Sequence, residues 1–240
     1  MSVLKFLGVA LAIAFAVGVF SYESNRASRS STLPGDTEAA RGGDIVDESG
    51  FVAAGMATQR YRLDASQSKF IAHALAGGLL WFKGHDHLVA VREFTGEAQL
   101  DPDSIAASSL QITAKAGSMV ETSSVFTDAQ KQIINKELRE IVLLPDQYPD
   151  IVFKSTSVTG RATDNNQYDL KIAGDLTLHG VTRPITIPTK VTVTGNEVRA
   201  EGQFSINRGD FKVKATSAVH GLIRVRDKVT FTFDIVGHRI

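Results

Sequence analysis

Apolar and polar residues alternate with a period of two over most of the chain from Tyr61 onward. The alternating segments are short and rich in Val, Ile, Thr and Phe, and Gly, Asn and Asp separate them. Such segments are typical of β-strands that turn one face toward a core. The pattern predicts ten strands: Tyr61–Leu63, Phe70–Leu75, Gly78–His87, Val89–Leu100, Ser109–Lys115, Ile151–Thr159, Tyr168–Leu178, Ile185–Thr194, Glu197–Asn207 and Lys228–Gly237.

Turn residues indicate how the later strands connect. Gly195 and Asn196 form a two-residue hairpin signal because both tolerate a positive φ, so the flanking strands are predicted to be antiparallel neighbours. Residues 164–166 form a similar turn signal. Pro188 cannot donate a ladder hydrogen bond, which predicts an edge or a bulge at its position.

One segment has helical spacing instead of alternation. Thr127 and Gln130 match a capping box, and the apolar residues that follow recur every three or four positions. The segment is predicted to be an α-helix that ends near Leu143, before Pro145. About eight antiparallel strands with one inserted helix favour an all-β closed barrel over a sandwich, since closure removes exposed strand edges.

The N-terminal segment has no alternation at all. Lys5 precedes an uncharged run of 17 residues, Phe6–Tyr22, which predicts a hydrophobic export helix. The small-residue cleavage signal Ala14–Ala16 lies inside this run, which favours an uncleaved signal anchor over residues 1–22. A signal peptide cleaved after residues 19–21 is the alternative.

The next segment marks the boundary of the folded domain. Residues 23–58 are rich in Ser, Ala, Gly and charged residues and lack periodicity, so they are predicted to form a flexible linker. Residues 59–240 are then one domain. An uncleaved anchor places this domain in the periplasm, attached to the inner membrane.

Successive side chains on a strand point to opposite faces, so residues of the same parity, even or odd, share a face. This strand parity predicts a large apolar interior. Even-numbered residues between Tyr168 and Leu178 are apolar, whereas most odd-numbered ones are polar. Small residues such as Gly174, Ala200 and Gly202 interrupt the inward faces and leave room there. An eight-stranded barrel holds either packed side chains or one small ligand, so a solid core and a ligand cavity both remain open at this point.

Composition and charge exclude several classes of function. From Gln59 onward the chain has 22 basic and 20 acidic residues, so it has no excess of positive charge that would attract nucleic acid. The chain has no cysteine, which excludes disulfides, thiolate metal sites and cysteine nucleophiles. Neither a nucleophile elbow nor a phosphate-binding glycine loop is present, so the sequence predicts no catalytic residues and no enzyme.

His85 and His87 are candidates for a metal site or for a contact with a ligand head group. On the predicted strand both rings project from one face, with Cβ atoms about 7 Å apart. Zinc or copper needs at least one further ligand, which the sequence does not identify. We therefore predict no metal and no cofactor and assign both histidines to a ligand, with a histidine-dependent metal-binding or haem-associated redox accessory protein as the alternative.

Three segments resemble the YceI-like family. Residues 144–158 contain its Tyr-Pro pair followed by Ile, Phe and Ser-Thr, and residues 174–184 contain its Gly-x-Leu-Thr strand and Gly-Val-Thr turn. Residues 204–211 also fit, and the resemblance covers residues 59–240. Gly84–His87 departs from the His-Gly-x-Ser-like stretch of many relatives, which indicates a separate branch of the family.

The resemblance implies a lipocalin-like barrel whose tunnel takes a long polyisoprenoid or a similar amphiphile such as an isoprenoid quinone. The expected function is a non-catalytic lipid carrier in the periplasm, and homodimer formation is left open. Strand parity selects inward side chains, and the two histidines and an arginine could meet a head group. The residues assigned to the ligand are Phe70, Trp81, His85, His87, Phe153, Leu176, Phe204, Arg208 and Phe233.

Overall fold

The computed structural model describes residues 58–164, 166–218, 220 and 222–240. The expected anchor over residues 1–22 and the expected linker, apart from Thr58, lie outside the described residues. Within the described ranges, no helix combines the length and the apolar character needed to cross a bilayer.

Strands account for most of the described chain. The eleven strands are β1 Gln59–Gly77, β2 His87–Val91, β3 Phe94–Leu100, β4 Ser109–Lys115, β5 Met119–Glu121, β6 Asp150–Asp164, β7 Gln167–Leu178, β8 Val181–Thr194, β9 Glu197–Asn207, β10 Ser217–Ala218 and β11 Ile223–Arg239. Helix α1 is Asp128–Glu137, and Leu138–Leu143 continues it as a π-helical turn. Short 3₁₀ helices cover Trp81–Lys83, Ile105–Ala107, Ala116–Ser118 and Arg208–Phe211.

Eight of these strands close a barrel. They pair in the order β1, β3, β4, β6, β7, β8, β9 and β11, and β11 pairs back with β1. Neighbouring strands in the ring are antiparallel. β2 pairs antiparallel with the later part of β1, β5 pairs with β2, and β10 pairs with β11. The predicted antiparallel eight-stranded barrel with one inserted helix is confirmed.

Two local features predicted from the sequence, a hairpin and a helix cap, are present in the structure. β8 and β9 join through Gly195 and Asn196, with Thr194 opposite Glu197, so the predicted hairpin is confirmed. Thr127 accepts a hydrogen bond from the backbone of Gln130, whose side chain accepts one in return, which completes the predicted capping box.

The predicted strand Gly78–His87 is wrong. Gly78 adopts a φ of +89°, which ends β1, and Trp81–Lys83 form a 3₁₀ helix before β2 begins at His87. The physical reason is that four consecutive apolar residues, 79–82, lack the alternation that a half-buried strand requires. Leu80 instead donates its backbone N–H to Leu222 O at 2.9 Å, which fixes this segment against the start of β11.

Other strand boundaries also differ from expectation, and β6, β8 and β11 are each longer than predicted. The strands predicted at Tyr61–Leu63 and Phe70–Leu75 are parts of one strand, β1, with an irregularity between Asp64 and Lys69. The single strand predicted at Val89–Leu100 is divided into β2 and β3 by residues 92–93, because β2 pairs with β5 whereas β3 pairs with β4.

The pairing of β8 with β9 covers only part of β8. The two strands pair from Thr189 to Thr194 of β8. Among the described residues, β7 is the only strand that pairs with residues 181–188. A Cβ added to Gly202 of β9 would lie 2.4 Å from the carbonyl oxygen of Pro188, which shows that the backbone of Pro188 faces β9. Pro184 lies four residues earlier in β8, so its backbone faces the same side of the strand as that of Pro188. Because residues 181–188 have no partner on that side, the missing N–H groups of the two prolines cost no ladder hydrogen bond.

Candidate functional site

The barrel interior contains two adjoining apolar cavities. One, which we call the far chamber, has Tyr61 and Val191 in its lining and an empty volume of about 1130 Å³, part of it open to solvent. The other, the helix-side chamber, borders Ile134 and Leu138. Its empty volume is about 1200 Å³, again partly open to solvent. Five residues line both chambers: Phe70, Ala114, Ile151, Leu176 and Phe204.

Four phenylalanine rings separate the two chambers. Phe204 stacks on Phe231 with ring centroids 5.0 Å apart, and Phe70 lies 5.9 Å from Phe231 and 6.4 Å from Phe233. Phe231 lines only the helix-side chamber and Phe233 only the far chamber. We call these four rings the aromatic waist. An apolar chain that extends through both chambers would have to pass between them.

Two glycines on inward faces make room for aromatic rings. A Cβ on Gly174 would lie 2.6 Å from Cζ of Phe153, and a Cβ on Gly202 would lie 2.7 Å from Cζ of Phe233. The rings therefore occupy the room that the sequence places at these glycines. These two rings in turn line the far chamber.

Seven of the nine residues assigned to the ligand line one or both chambers. They are Phe70, His87, Phe153, Leu176, Phe204, Arg208 and Phe233. For the five apolar residues this position agrees with strand parity, and the contact of all seven with a ligand stays a prediction.

Trp81 does not face the barrel interior. Its predicted strand does not form, and the indole lies in the 3₁₀ helix Trp81–Lys83 with 55% of the residue exposed. The expectation that Trp81 lines the tunnel is therefore wrong. It lines a separate, more polar cavity together with three arginines.

His85 and His87 do not project from one strand face as expected, because only His87 belongs to β2. Both rings contact Phe126. His87 stacks on it at 5.2 Å between centroids, and His85 meets it edge-on at 5.7 Å. Among the described residues, no group of three or more His, Asp or Glu side chains is arranged to hold a metal ion.

Glu121, at the end of β5, holds His87 in place. Its side chain is fully buried and accepts hydrogen bonds from His87 Nδ1 at 2.8 Å and from the backbone N–H groups of Ser123 and Leu88 at 2.7 and 3.2 Å. Burial raises the pKa of Glu121, but these hydrogen bonds outweigh burial and hold the pKa below its ordinary value. With Nδ1 engaged, Nε2 is the ring nitrogen of His87 left to meet a ligand in the helix-side chamber.

Glu121 is not among the residues predicted from the sequence. The one local signal is parity, since Glu121 lies two residues after Met119, which is buried in the same strand. A carboxylate on a buried strand face indicates a paired or hydrogen-bonded group. Its partner His87 lies 34 residues away and comes close only through the pairing of β2 with β5.

Comparisons with known proteins agree with this architecture. Protein YceI of Escherichia coli O17:K52:H18 is 30% identical over 152 residues, which cover 59% of this chain and 72% of that protein. The UPF0312 protein of Pseudomonas fluorescens is 39% identical over 103 residues, 38% of this chain, and the match spans only half of that protein's length.

Solved structures share the fold. BcnA of Burkholderia cenocepacia aligns with a TM-score of 0.57 at 22% identity, over 72% of this chain and 98% of that one. A polyisoprenoid binding domain from Saccharophagus degradans, implicated in plant cell wall breakdown, aligns with a TM-score of 0.51 at 13% identity, over 75% and 98%. The YceI-like domain family matches residues 61–237. This chain therefore belongs to the YceI-like family.

Proposed function

We propose that this protein is a non-catalytic carrier for one long-chain isoprenoid lipid, either a polyisoprenoid or an isoprenoid quinone. The observation that carries the proposal is the pair of adjoining apolar chambers inside a closed barrel, since concave sites lined almost entirely by apolar side chains favour apolar ligands. Support also comes from the Saccharophagus degradans structure, which is a polyisoprenoid binding domain of the same fold.

The length of the interior suits an extended chain better than a compact ligand. β7 has 12 residues. At a rise of about 3.3 Å per residue and a tilt of about 40°, such a strand spans roughly 30 Å along the barrel axis. A chain that crosses the aromatic waist could occupy both chambers over this distance.

Affinity is expected to increase with chain length. Each added isoprene unit should tighten binding at least about tenfold, because one buried CH₂ contributes about 0.8 kcal/mol and 1.4 kcal/mol is a factor of ten. The increase should stop once the chain exceeds the roughly 30 Å of the interior. Dissociation constants for a series of prenols, measured by displacement of a fluorescent apolar probe, test this expectation.

A histidine variant separates the carrier from the metal or redox alternative. Replacing His85 and His87 together with Gln should preserve the trend with chain length and change only the preference among head groups, since apolar side chains form almost all of the lining. Affinities that do not vary with chain length, together with loss of binding in the His85→Gln/His87→Gln variant, would contradict the carrier function.

We propose further that the barrel lies in the periplasm, attached to the inner membrane by residues 1–22. The apolar run Phe6–Tyr22 and the position of Ala14–Ala16 within it support this placement. The protein should then remain with the inner-membrane fraction and keep the run Phe6–Tyr22. A mature protein that begins near residue 22 and appears in the soluble periplasmic fraction would support signal cleavage instead.

A further inference from the structure

A third cavity lies beside the helix-side chamber and differs from it in charge. It has an empty volume of about 690 Å³, and Trp81, three arginines and one carboxylate contribute to its lining. We call it the arginine pocket, after Arg208, Arg224 and Arg226. Arg208 and Val225 line both this pocket and the helix-side chamber, so a polar compartment directly adjoins an apolar one.

Backbone carbonyl groups, and not acidic side chains, position two of the arginines. Arg208 donates from Nη1 to Val213 O at 2.9 Å and from Nε to Arg226 O at 3.3 Å. Arg226 donates from Nε to Ala76 O at 2.8 Å. Neutral acceptors orient a guanidinium without cancelling its charge, so the remaining N–H groups stay available to an anion.

None of the three arginines forms an ion pair with a described carboxylate. Asp227 is the one acidic residue in the lining, and its Oδ1 accepts a hydrogen bond from Gly209 N at 2.9 Å. The pocket therefore combines three cations with one carboxylate that is held against the backbone. Clustered guanidinium groups without counterions favour an anionic ligand.

Glycines at the end of β1 allow the arginine stems to lie close to the backbone. A Cβ on Gly77 would lie 2.8 Å from Cγ of Arg226. A Cβ on Gly78 would lie 2.4 Å from Leu222 O and 3.5 Å from Cγ of Arg224. A side chain at position 77 would therefore displace the stem of Arg226, whereas one at position 78 would clash with the Leu222 carbonyl and only contact the stem of Arg224.

We infer that the arginine pocket binds an anionic phosphate or diphosphate head group of the amphiphile whose apolar chain occupies the helix-side chamber. The inference rests on the proposed carrier function and adds the chemistry of the head group. Guanidinium groups bind phosphate oxygens through paired N–H donors, which a prenol hydroxyl or a quinone carbonyl cannot use to the same extent. Trp81 provides an apolar surface in the same pocket, where the chain would meet the head group.

The test compares geranylgeranyl phosphate with geranylgeraniol, which have the same chain and differ in the head group. In about 0.1 M salt, where the Debye length is about 10 Å, the phosphate should bind at least about tenfold more tightly than the alcohol. In the Arg224→Gln/Arg226→Gln variant, the ratio of the two dissociation constants should fall to about one. The Arg161→Gln/Lys190→Gln variant removes the same charge from exposed positions outside the pocket and should keep the wild-type ratio.

The outcomes separate this inference from the carrier function on which it rests. Tight binding of both ligands with a wild-type ratio near one would contradict the phosphate site and leave the carrier function intact. Binding of neither ligand would overturn both. Inorganic phosphate that binds as tightly as geranylgeranyl phosphate, or an Arg161→Gln/Lys190→Gln variant that loses the preference, would show that the pocket does not recognise a lipid head group.

Discussion

Replacing Phe204 with Asp is expected to abolish binding of an apolar chain. The ring of Phe204 lines both chambers and stacks on Phe231, so the substitution puts a carboxylate without a partner at the aromatic waist. A buried charge of this kind costs several kcal/mol, which corresponds to a loss of affinity of at least about a hundredfold. The dissociation constant for a long prenol measures the effect directly.

Phe204→Asp should also lower the free energy of unfolding by about 3 to 5 kcal/mol, because the aromatic contact is lost as well. The matched control is Gln203→Asp, which places the same charge on the exposed outer face of β9 and should change neither quantity appreciably. Phe204→Leu keeps the site apolar and should retain binding. A folded Phe204→Asp protein with wild-type affinity would show that the ligand does not pass through the waist.

Replacing Glu121 with Ala is expected to lower the free energy of unfolding by about 3 kcal/mol at pH 7. The substitution removes the acceptor for His87 Nδ1 and for two backbone N–H groups, and each buried donor left without a partner costs about 1 to 3 kcal/mol. Denaturant unfolding measures the change. Glu93→Ala is the control, since Glu93 is exposed, and it should change stability little.

The contribution of Glu121 should depend on pH in a defined direction. Its pKa in the folded protein lies below the ordinary value of 4.5, so the carboxylate stabilises the fold fully above about pH 4.5 and loses this effect as the pH falls through the folded pKa. The difference in unfolding free energy between wild type and Glu121→Gln should therefore shrink in acid. A difference that grows as the pH falls would contradict this assignment.

Strand parity predicts the parts of the barrel in which alternation is long and uninterrupted. The strands from Tyr168 to Asn207 follow it closely where one face is buried, whereas the exposed residues 182–184 at the start of β8 lack the alternation and were not predicted to be in a strand. The joining of two predicted strands into β1 was missed because the polar residues 64–68 resemble a loop. Hydrogen bonds from Ser66 and Gln67 instead hold this segment against Asp64, and they lower the pKa of that carboxyl to about 2.

Some residues of the candidate site are predictable from their own strand, whereas others depend on contacts with segments that are distant in sequence. Phe153, Leu176 and Phe204 follow from parity alone, because an inward position on a barrel strand is a property of the strand itself. Arg224 and Glu121 were missed because their surroundings depend on segments that are distant in sequence. Arg224 lies in the pocket that the turn after β1 helps to form, and the neighbours of Glu121 follow from the pairing of β2 with β5.

The limited pairing of β8 with β9 has a kinetic consequence. Separating these strands along residues 181–188 breaks no backbone ladder, whereas separating β8 from β7 breaks a ladder that pairs 12 residues of each strand. One hydrogen bond from Arg183 Nε to Asp210 O, 3.3 Å long, bridges the gap. Widening this seam would break that hydrogen bond and side-chain contacts but no ladder hydrogen bonds. We therefore expect the proposed ligand to enter and leave here while the ladder between β7 and β8 stays intact.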